Sequence, residues 1–211
     1  MSYWAVPPEW HGETCIILGC GPSLASVDMR AVRDSGARVI AINDAILLAP
    51  WADVGYFCDL EWWDARGRQV REVFHGRLVT LENAIAGVKR LRNTGERGLE
   101  TDPCGLRHGS NSGYQTIGLA HHLGVSRIVL CGYDLRVHGD RLHAIEGHRR
   151  QDADTFDRLL KDVMLPNFES LVEPLAAAGV SMVNATPGSR LRCWQMIDLR
   201  DALTFITHSQ Q

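Results

Sequence analysis

The amino-acid sequence predicts an α/β protein with a doubly wound, mostly parallel β-sheet of about six strands. Short apolar segments alternate along the chain with amphipathic segments, which is the order that βαβ units produce. The apolar segments are continuous rather than alternating, as is typical of strands buried on both faces. With 211 residues, 45% of them hydrophobic and 22% charged, the chain can bury a core without a metal or a disulfide.

Six segments have the composition expected of buried strands, since they are short and rich in β-branched residues. They are Thr14–Leu18, Arg38–Ile42, Val54–Cys58, Arg77–Leu81, Arg127–Cys131 and Ser181–Val183. Four segments between them place apolar residues at helical spacing. These are Leu24–Asp34, Glu61–Phe74, Asn111–Leu123 and Asp152–Ala178. Pro166 interrupts the last segment, so we expect two helices or one kinked helix there.

The periodicity fails between residues 83 and 110, where five glycines occur. Irregular segments of this length inside a domain are usually functional lids or disordered. We therefore expect an irregular insert or lid at about 83–110, within a single domain spanning residues 1–211. From Arg66 to Arg97 the chain carries eight Lys or Arg residues against three Asp or Glu, which is a local positive surplus.

Composition excludes several classes of protein. The formal net charge of −3 argues against a dedicated nucleic-acid-binding protein. The first eight residues lack the basic and apolar regions of a signal peptide, and no apolar run approaches the roughly 18 residues that span a bilayer. Six cysteines are scattered without paired spacing, so we expect free thiols. These features predict a cytoplasmic protein that makes no membrane contact.

A glycine-rich turn follows the first predicted strand and precedes the first predicted helix. It reads Gly19-Cys20-Gly21-Pro22-Ser23. Glycines allow a ligand to approach the backbone, and a helix N-terminus favours a phosphate. The alternative is a plain tight turn in which Ser23 caps the helix.

The turn departs from the pattern of dinucleotide-binding dehydrogenases. Leu24 stands where the third glycine of that fingerprint belongs, and the second strand ends in Asn43 rather than in an acidic residue. Because the fingerprint needs both features to hold pyrophosphate and ribose, the sequence disfavours a dehydrogenase.

Polar residues also follow three other predicted strands: Asn43-Asp44, Asp59, and Tyr133-Asp134 after Gly132. Ligands of open α/β sheets bind beyond the carboxyl ends of the strands, so we expect these residues to share a crevice. Singly, each is as well explained as a loop cap. Before the helix at Asn111–Leu123, a second glycine and hydroxyl turn contains Ser110, Asn111, Ser112 and Gly113. It either caps its own helix or binds a second anionic or sugar group.

Titratable residues accumulate between residues 134 and 150, where no core pattern is present. They are Asp134, His138, Asp140, His143, Glu146 and His148. A histidine has an unperturbed pKa of about 6.5 and suits general acid–base chemistry near neutral pH. The alternatives are a metal site, although the spacing matches no zinc motif, and a solvated loop.

Three segments carry a resemblance to known families, and they occur in the same order along the chain as in those families. The segments are Ile17–Leu24, Ser112–Gly124 and Ile128–Leu135. The chain resembles the bacterial lipooligosaccharide sialyltransferases and the archaeal hydroxymethylpterin diphosphokinase-like proteins, especially short phage members of that superfamily. The phage members share the stretches Ala49–Asp53 and Asn184–Ser189. The resemblance covers most of residues 14–200 and implies a Rossmann-like fold that binds a nucleotide.

The resemblance also implies roles for individual residues. The nucleotide would lie near Gly19, Gly21, Ser23 and Asn43, with Ser112 and Gly113 lining the donor pocket, and His148 would be the general base. Cys20 and Asp59 replace donor-contacting asparagines of the sialyltransferases, and Arg136 replaces a tyrosine that stabilises the leaving phosphate. Asp59 would suit a Mg²⁺-bound diphosphate, which points to a nucleoside-diphosphate donor or to pyrophosphoryl transfer.

These observations together predict a transferase that uses a nucleotide-activated donor and is most similar to a glycosyltransferase. The candidate donor-binding residues are Gly19, Cys20, Gly21, Pro22, Ser23, Asn43, Asp59, Asn111, Ser112, Gly113 and Asp134, and the candidate catalytic residues are His148, His143 and Arg136. The acceptor would carry a hydroxyl group, and the surplus between Arg66 and Arg97 raises a modified DNA base as one acceptor. The alternatives are a Mg²⁺-dependent diphosphokinase acting on a pterin-like alcohol and a non-catalytic phage protein that binds a nucleotide.

Overall fold

One parallel sheet of nine strands runs through the part of the chain that the computed structural model describes, residues 2–136 and 153–208. The strands are β1 Thr14–Leu18, β2 Arg38–Ile42, β3 Val54–Phe57, β4 Arg77–Leu81, β5 Lys89–Asn93, β6 Gly105–Leu106, β7 Arg127–Cys131, β8 Ser181–Asn184 and β9 Gln195–Met196. Their order across the sheet is β6-β5-β4-β3-β2-β1-β7-β8-β9, and every neighbouring pair is parallel.

The predicted parallel α/β sheet is confirmed, but the number of strands predicted, about six, is wrong. The three additional strands lie toward the edges of the sheet, and they lack the apolar runs of buried strands. β5 has the sequence Lys-Arg-Leu-Arg-Asn with only its leucine buried, and β6 and β9 have two residues each. The segment 83–110 therefore contains two strands that extend the sheet, while its role as a lid stays a prediction.

The strand order places a crevice at β1. The central order β3-β2-β1-β7-β8 is that of a Rossmann-like sheet, because the chain moves outward in one direction from β1 to β3 and in the other from β7 to β8. The carboxyl ends of β1 and β7 flank the point where the direction reverses. Ligands of such sheets bind at this reversal, so the fold itself marks the place of a candidate site.

Helices cover both faces of the sheet. On one face lie α1 Met29–Asp34, α2 Ala45–Leu48, α3 Leu60–Val73 and α8 Leu199–His208, and on the other lie α4 Ser112–His122, α6 Leu165–Glu169 and α7 Val172–Ala177. α5 Ala153–Leu159 precedes α6. None of the helices in residues 2–136 and 153–208 is both long and apolar enough to cross a membrane.

The helix predicted at Leu24–Asp34 is divided into two short pieces. A single 3₁₀ turn covers Pro22–Ser26, and α1 begins only after Asp28, whose carboxylate accepts hydrogen bonds from the Arg30 and Ala31 amides at 3.0 Å. Asp28 is thus the N-cap that starts α1. The glycine turn consequently precedes a 3₁₀ turn of five residues rather than a long helix with a large dipole.

The helical segment predicted at Asp152–Ala178 does not break at Pro166. From α5 the chain passes through a π turn, Leu160–Met164, directly into α6, and Pro166 is the second residue of α6. In the π turn the Leu165 amide donates to the Leu160 carbonyl. The break falls instead between α6 and α7, at residues 170 and 171. The continuous run brings Met164 toward the carboxyl end of the sheet.

Glu100 supplies a pH-dependent part of the stability between β5 and β6. Burial works to raise the pKa of this carboxyl, but the groups around it outweigh burial and lower the pKa from 4.5 to about 2. The Thr101 and Asp102 amides donate to Glu100 Oε1 at 2.9 and 3.0 Å, and the Arg107 guanidinium lies 3.1 Å from Oε2. A carboxyl with a lowered pKa stabilises the fold above its unfolded-state pKa and loses this contribution as pH falls.

We expect Glu100→Gln to lower the free energy of unfolding at pH 7 by up to about 3 kcal/mol, the value that a shift of this size represents. Wild-type stability should fall between pH 4.5 and pH 2, and the variant should lose much of this pH dependence. Urea unfolding across this range measures both effects. The control is Glu72→Gln, which changes an exposed carboxylate. Identical pH profiles for Glu100→Gln and wild type would contradict the assignment.

Candidate functional site

A cavity of 210 Å³ lies at the carboxyl ends of β1, β2 and β7, against the N-terminus of α4. The strands and turns that form it come from distant parts of the chain. The lining residues are Gly19, Cys20, Gly21, Ile42, Asn43, Ser110, Asn111, Ser112, Gly113, Gly132, Tyr133, Asp134, Leu135, Arg136, Phe156 and Met164. Polar residues predicted at the ends of β1, β2 and β7, among them Asn43 and Asp134, therefore do meet in one crevice, whereas Asp44 accepts from Trp62 Nε1 and does not line it.

The glycines of the glycine-rich turn after β1 (Gly19–Ser23, hereafter the first turn) allow it to pack against the turn that follows β7. The Gly19 amide donates to the Cys131 carbonyl at 2.7 Å, and the Gly21 amide donates to the Gly132 carbonyl at 2.9 Å. A Cβ on either glycine would lie 2.6 Å from the Gly132 carbonyl oxygen, which is closer than non-bonded atoms approach. The close approach that the glycines permit is thus to the chain itself.

Ser23 and Asp134 join the same two turns by side chains. The Ser23 hydroxyl donates to Asp134 Oδ2 at 2.6 Å, and the Ser23 amide donates to Asp134 Oδ1 at 3.2 Å. The Asp134 carboxylate is 2% exposed and occupies the position that a phosphate was expected to take. The Ser23 side chain does not cap the 3₁₀ turn. In this structure the first turn holds the end of β7, and its Gly19, Gly21 and Ser23 amides donate to acceptors of the chain itself.

Asn43 follows β2 in a strained conformation and carries an unsatisfied acceptor. Its φ is +49°, a left-handed value that non-glycine residues seldom adopt. The residue is 9% exposed, and its Oδ1 atom has no hydrogen-bond partner among the described residues. Neighbouring Cys20 is half-buried, and desolvation, with the charge of Asp44, raises the pKa of its thiol to about 12. A buried acceptor without a donor is unusual and requires an explanation.

The second turn caps its own helix and also faces the cavity. Asn111 Oδ1 accepts from the Gly113 amide at 2.7 Å and from the Tyr114 amide at 3.3 Å, so Asn111 is the N-cap of α4. The Ser112 hydroxyl lies 3.3 Å from the Cys58 thiol. The N-terminus of this 11-residue helix carries a partial positive charge and is directed at the cavity by the lining residues Asn111 to Gly113.

Backbone strain is concentrated at this site. Four non-glycine residues of the described chain have φ in the left-handed region: Asn43, Glu82, Ser110 and Leu135. All but Glu82 line the cavity. Strained backbone costs about 1–3 kcal/mol for each residue and clusters at functional sites. The strain thus distinguishes this cavity from an ordinary surface depression.

Arg136 lies between the cavity and the turn that follows β8. It lines the cavity, and its guanidinium packs so closely on Gly188 that a Cβ there would lie 3.1 Å from both terminal nitrogens. Arg136 follows Leu135, whose φ is +46°. The left-handed residue and the contact with Gly188 together direct a positive charge to the mouth of the cavity.

Three buried polar side chains, at the end of β8 and in the turn after it, hold the turn that presents Arg136. The Thr186 hydroxyl accepts from the Tyr133 amide at 2.9 Å, the Ser189 hydroxyl donates to the Tyr133 carbonyl at 2.5 Å, and Asn184 Nδ2 donates to Ser189 at 3.0 Å. Each of the three is at most 1% exposed. In the sequence, the stretch Asn184–Ser189 stood out only for its resemblance to phage proteins. In the structure this stretch fixes the end of β7 by hydrogen bonds to the Tyr133 backbone.

Apolar side chains from the helical run after residue 153 complete the cavity. Phe156 of α5 and Met164 of the π turn line it, and Asn111 Nδ2 lies 3.5 Å from the Met164 sulfur. Phe156 lies in the segment predicted to be helical from its apolar spacing, and the sequence gave neither Phe156 nor Met164 a role in a site. The signal that could have located Met164 is a π turn, which is frequent at functional sites but has no clear sequence pattern.

Pro22, Ser23 and Asp59 are the predicted donor-binding residues in the described chain that do not line the cavity. Asp59 is exposed and is the N-cap of α3, since its Oδ1 accepts from the Glu61 amide at 2.9 Å. His143 and His148 belong to residues 137–152, outside the described residues. Arg136, just before that segment, and Phe156, soon after it, both line the cavity.

The described residues give the predicted Mg²⁺ site no support, and it stays a prediction. In residues 2–136 and 153–208 no three His, Cys, Asp or Glu side chains gather closely enough to hold a metal ion. Asp134 is the carboxylate of the described lining, and it already accepts two hydrogen bonds from Ser23. Asp59 lies outside the cavity. We therefore derive no step through Mg²⁺.

The positive surplus between Arg66 and Arg97 is largely engaged within the chain. Carboxylates, carbonyls, amides and aromatic rings contact these arginines. The contacts are Arg66–Asp44, Arg68–Glu72, Arg71–Ala86, Arg77–Glu9, Arg90–Tyr3, Arg92–Asp102 and Arg97–Asn167. This region is therefore a set of local pairs rather than an open basic surface, and the contacts give a DNA acceptor no support.

Comparisons with known proteins give little additional information. No protein-family model matches the chain, and no curated protein matches it. Among solved structures, the chain is similar to a short chain dehydrogenase from Mycobacterium smegmatis. The two share 14% sequence identity with a TM-score of 0.26, and the match covers 98% of this chain and 89% of the dehydrogenase. No inference about function follows from a likeness at this level.

Proposed function

We propose that this chain is a transferase that binds part of a nucleotide-activated donor in the 210 Å³ cavity and transfers its sugar to a hydroxyl group. The observation that carries the proposal is the buried, unpartnered Oδ1 atom of Asn43. Leaving a buried acceptor unpaired costs about 1–3 kcal/mol. A hydroxyl or amino group of a donor would pair with it and recover this energy. Asn43 follows β2, the strand whose end contacts ribose in Rossmann-like folds.

The charges around the cavity favour an anionic group. Arg136 and the N-terminus of α4 are positive, and the Asp134 carboxylate is engaged by the two Ser23 donors. Positive groups fixed at the position where charge develops stabilise a departing phosphate. Since the first turn holds Asp134, the proposal places the donor phosphate at Arg136 and α4.

The size of the cavity limits what it can hold. Pockets for complete drug-sized ligands usually measure about 300–1,000 Å³, and this cavity measures 210 Å³. We therefore propose that it holds the phosphate with one sugar, while the remainder of the donor extends through the mouth. The apolar side chains of Phe156 and Met164 would contact the sugar ring.

The proposed step needs a base as well as a site for the leaving group. The acceptor oxygen would form a bond to the anomeric carbon, the bond from that carbon to the phosphate oxygen would break with its electron pair going to the phosphate, and the acceptor proton would pass to a base. We propose His148 as this base, since a histidine with its unperturbed pKa of about 6.5 is partly deprotonated at neutral pH. Arg136 would stabilise the negative charge on the leaving phosphate.

The test of the proposal is Asn43→Gly. We expect it to weaken donor binding by about fivefold to a hundredfold, which corresponds to the roughly 1–3 kcal/mol that pairing a buried acceptor recovers. Glycine adopts a φ of +49° without steric cost, so the free energy of unfolding should change little. Isothermal titration calorimetry with CMP, UDP, ATP and their available sugar conjugates measures binding, and urea unfolding measures stability.

Glu82→Gly is the matched control, because Glu82 is also left-handed but lies outside the cavity. It should leave donor binding unchanged. The proposal fails if no nucleotide or nucleotide sugar binds the wild type, or if Asn43→Gly binds the donor as tightly as the wild type.

A further inference from the structure

A second and larger cavity lies on the opposite face of the sheet from α4. It is a groove of 890 Å³ between α1 and α8, at the carboxyl end of β8. This volume falls within the range of about 300–1,000 Å³ that is usual for small-molecule sites. Its walls include Val27, Ala31 and Leu203, with the turn at Thr186–Gly188 as its floor. Nothing in the proposed step so far uses this groove.

The groove and the 210 Å³ cavity share a wall. Gly188 lines the groove, and the Arg136 guanidinium that packs on Gly188 lines the cavity. A second link runs from the Ser26 hydroxyl, which lines the groove and donates to the Ser23 carbonyl at 2.7 Å, through the Ser23 hydroxyl to Asp134, which lines the cavity. Arg136 therefore lies on the cavity side of this shared wall, against Gly188 of the groove. An atom bound beside Gly188 and a phosphate bound at Arg136 would lie on either side of one side chain.

We propose that the groove between α1 and α8 binds the hydroxyl acceptor, and that this acceptor is an uncharged sugar or glycoside. The inference rests on the proposed function, since it supplies the second substrate of that transfer. A transferase must hold its acceptor next to the leaving group of the donor. The groove is adjacent to the proposed phosphate position and is large enough for one or two sugar rings.

The charged residues of the groove decide the class of acceptor. Three aspartates and two arginines line it: Asp28, Asp34, Asp198, Arg192 and Arg200. The lining thus carries a formal charge of −1 (two positive, three negative), which disfavours a polyanion such as DNA. The aspartates can accept hydrogen bonds from the hydroxyl groups of a sugar, and the arginines can donate hydrogen bonds to them.

The aspartates keep acceptor capacity despite their roles in the helices. Asp28 uses Oδ1 to cap α1, and Asp198 uses Oδ1 to cap α8. A carboxylate has two oxygens with about four acceptor sites, so each aspartate can also accept from a sugar hydroxyl. Apolar side chains such as Val27 and Leu203 would contact the C–H faces of the ring.

The experiment blocks the groove with a tryptophan side chain introduced on either of its two sides. Ala31→Trp on α1 and Arg192→Trp on the opposite side each place an indole in the groove, and Ala177→Trp on α7 is the control on an exposed helical position. Saturation-transfer NMR on the full chain measures binding of glucose, galactose, N-acetylglucosamine and maltose without any nucleotide. Calorimetry measures nucleotide binding by the same variants, and thermal unfolding shows that they are folded.

We expect at least one of the sugars to bind the wild type and Ala177→Trp, and binding to weaken about tenfold or more in both groove variants. Nucleotide binding should stay unchanged in all three variants. The inference is overturned if no sugar binds the wild type, if the groove variants bind sugar normally, or if a short single-stranded DNA competes for the groove. Sugar binding without any nucleotide binding would instead overturn the proposed function and leave the groove as a sugar site.

Discussion

Gly21→Val is expected to abolish donor binding and to lower the free energy of unfolding by about 3 kcal/mol or more. A Cβ at this position would lie 2.1 Å from Asp134 Oδ2 and 2.6 Å from the Gly132 carbonyl oxygen. The two turns would have to separate, and the Ser23–Asp134 hydrogen bonds would break. Because the end of β7 presents Arg136, the cavity would lose its shape. Urea unfolding and calorimetry with the nucleotide panel measure the two effects.

Gly179→Ala provides the comparison. Gly179 has a φ of +75° and nothing near the position of a Cβ, so it should cost only the roughly 1–2 kcal/mol of a left-handed alanine and leave binding intact. Gly21 needs no left-handed backbone, and its substitution tests steric packing alone. A Gly21→Val variant with wild-type stability and binding would contradict the packing described for the first turn.

Arg136→Ala is expected to lower kcat/KM of the proposed transfer by about a hundredfold, the usual loss when one group that stabilises developing charge is removed. The Arg136 guanidinium lines the cavity in which we place the leaving phosphate, and it packs on Gly188. Arg136→Lys should recover part of the activity, because it keeps the charge but not the planar donor pair. Steady-state kinetics with the donor identified by calorimetry measure the effect.

The control for this prediction is Arg33→Ala, which removes an exposed arginine of α1 that lies outside both cavities. It should leave kcat/KM unchanged. If Arg136→Ala kept the wild-type kcat/KM, the leaving phosphate could not be at Arg136.

The central strands could be predicted from the sequence because each is a continuous apolar run. β1, β2, β4 and β7 begin and end where the sequence predicts. β5 could not be predicted, because only one of its five side chains is buried. It lies near the edge of the sheet, where Lys89, Arg90 and Arg92 can stay at the surface, so the segment has no apolar run. The N-terminus of α1 could have been located, because Asp28 precedes the helix as a typical N-cap.

The position of the candidate site could be predicted from the sequence, but its internal contacts could not. Asn43 and Arg136 follow strands that end at the same edge of the sheet, and this rule alone brings them together. The pairing of Ser23 with Asp134 joins residues 111 positions apart, and no local pattern encodes it. The same glycines that suggest a phosphate-binding turn are needed for this internal contact, so the sequence alone cannot distinguish the two uses.

The resemblance to sialyltransferases and diphosphokinase-like proteins stays a prediction, as do the roles of His148 and His143. The left-handed residues Asn43, Ser110 and Leu135 could not be anticipated from residue type, apart from asparagine's tolerance of this region. They became informative only when the structure placed them around one cavity.

The most direct test of the account is an experimental structure of the chain soaked with CMP, UDP and ATP in turn. The account predicts that one nucleotide places its phosphate against Arg136 and the N-terminus of α4, with a hydroxyl or amino group donating to Asn43 Oδ1 and with the Ser23–Asp134 pair intact. A nucleotide bound anywhere else, including the groove between α1 and α8, or a phosphate that displaces Asp134 from Ser23, would contradict it.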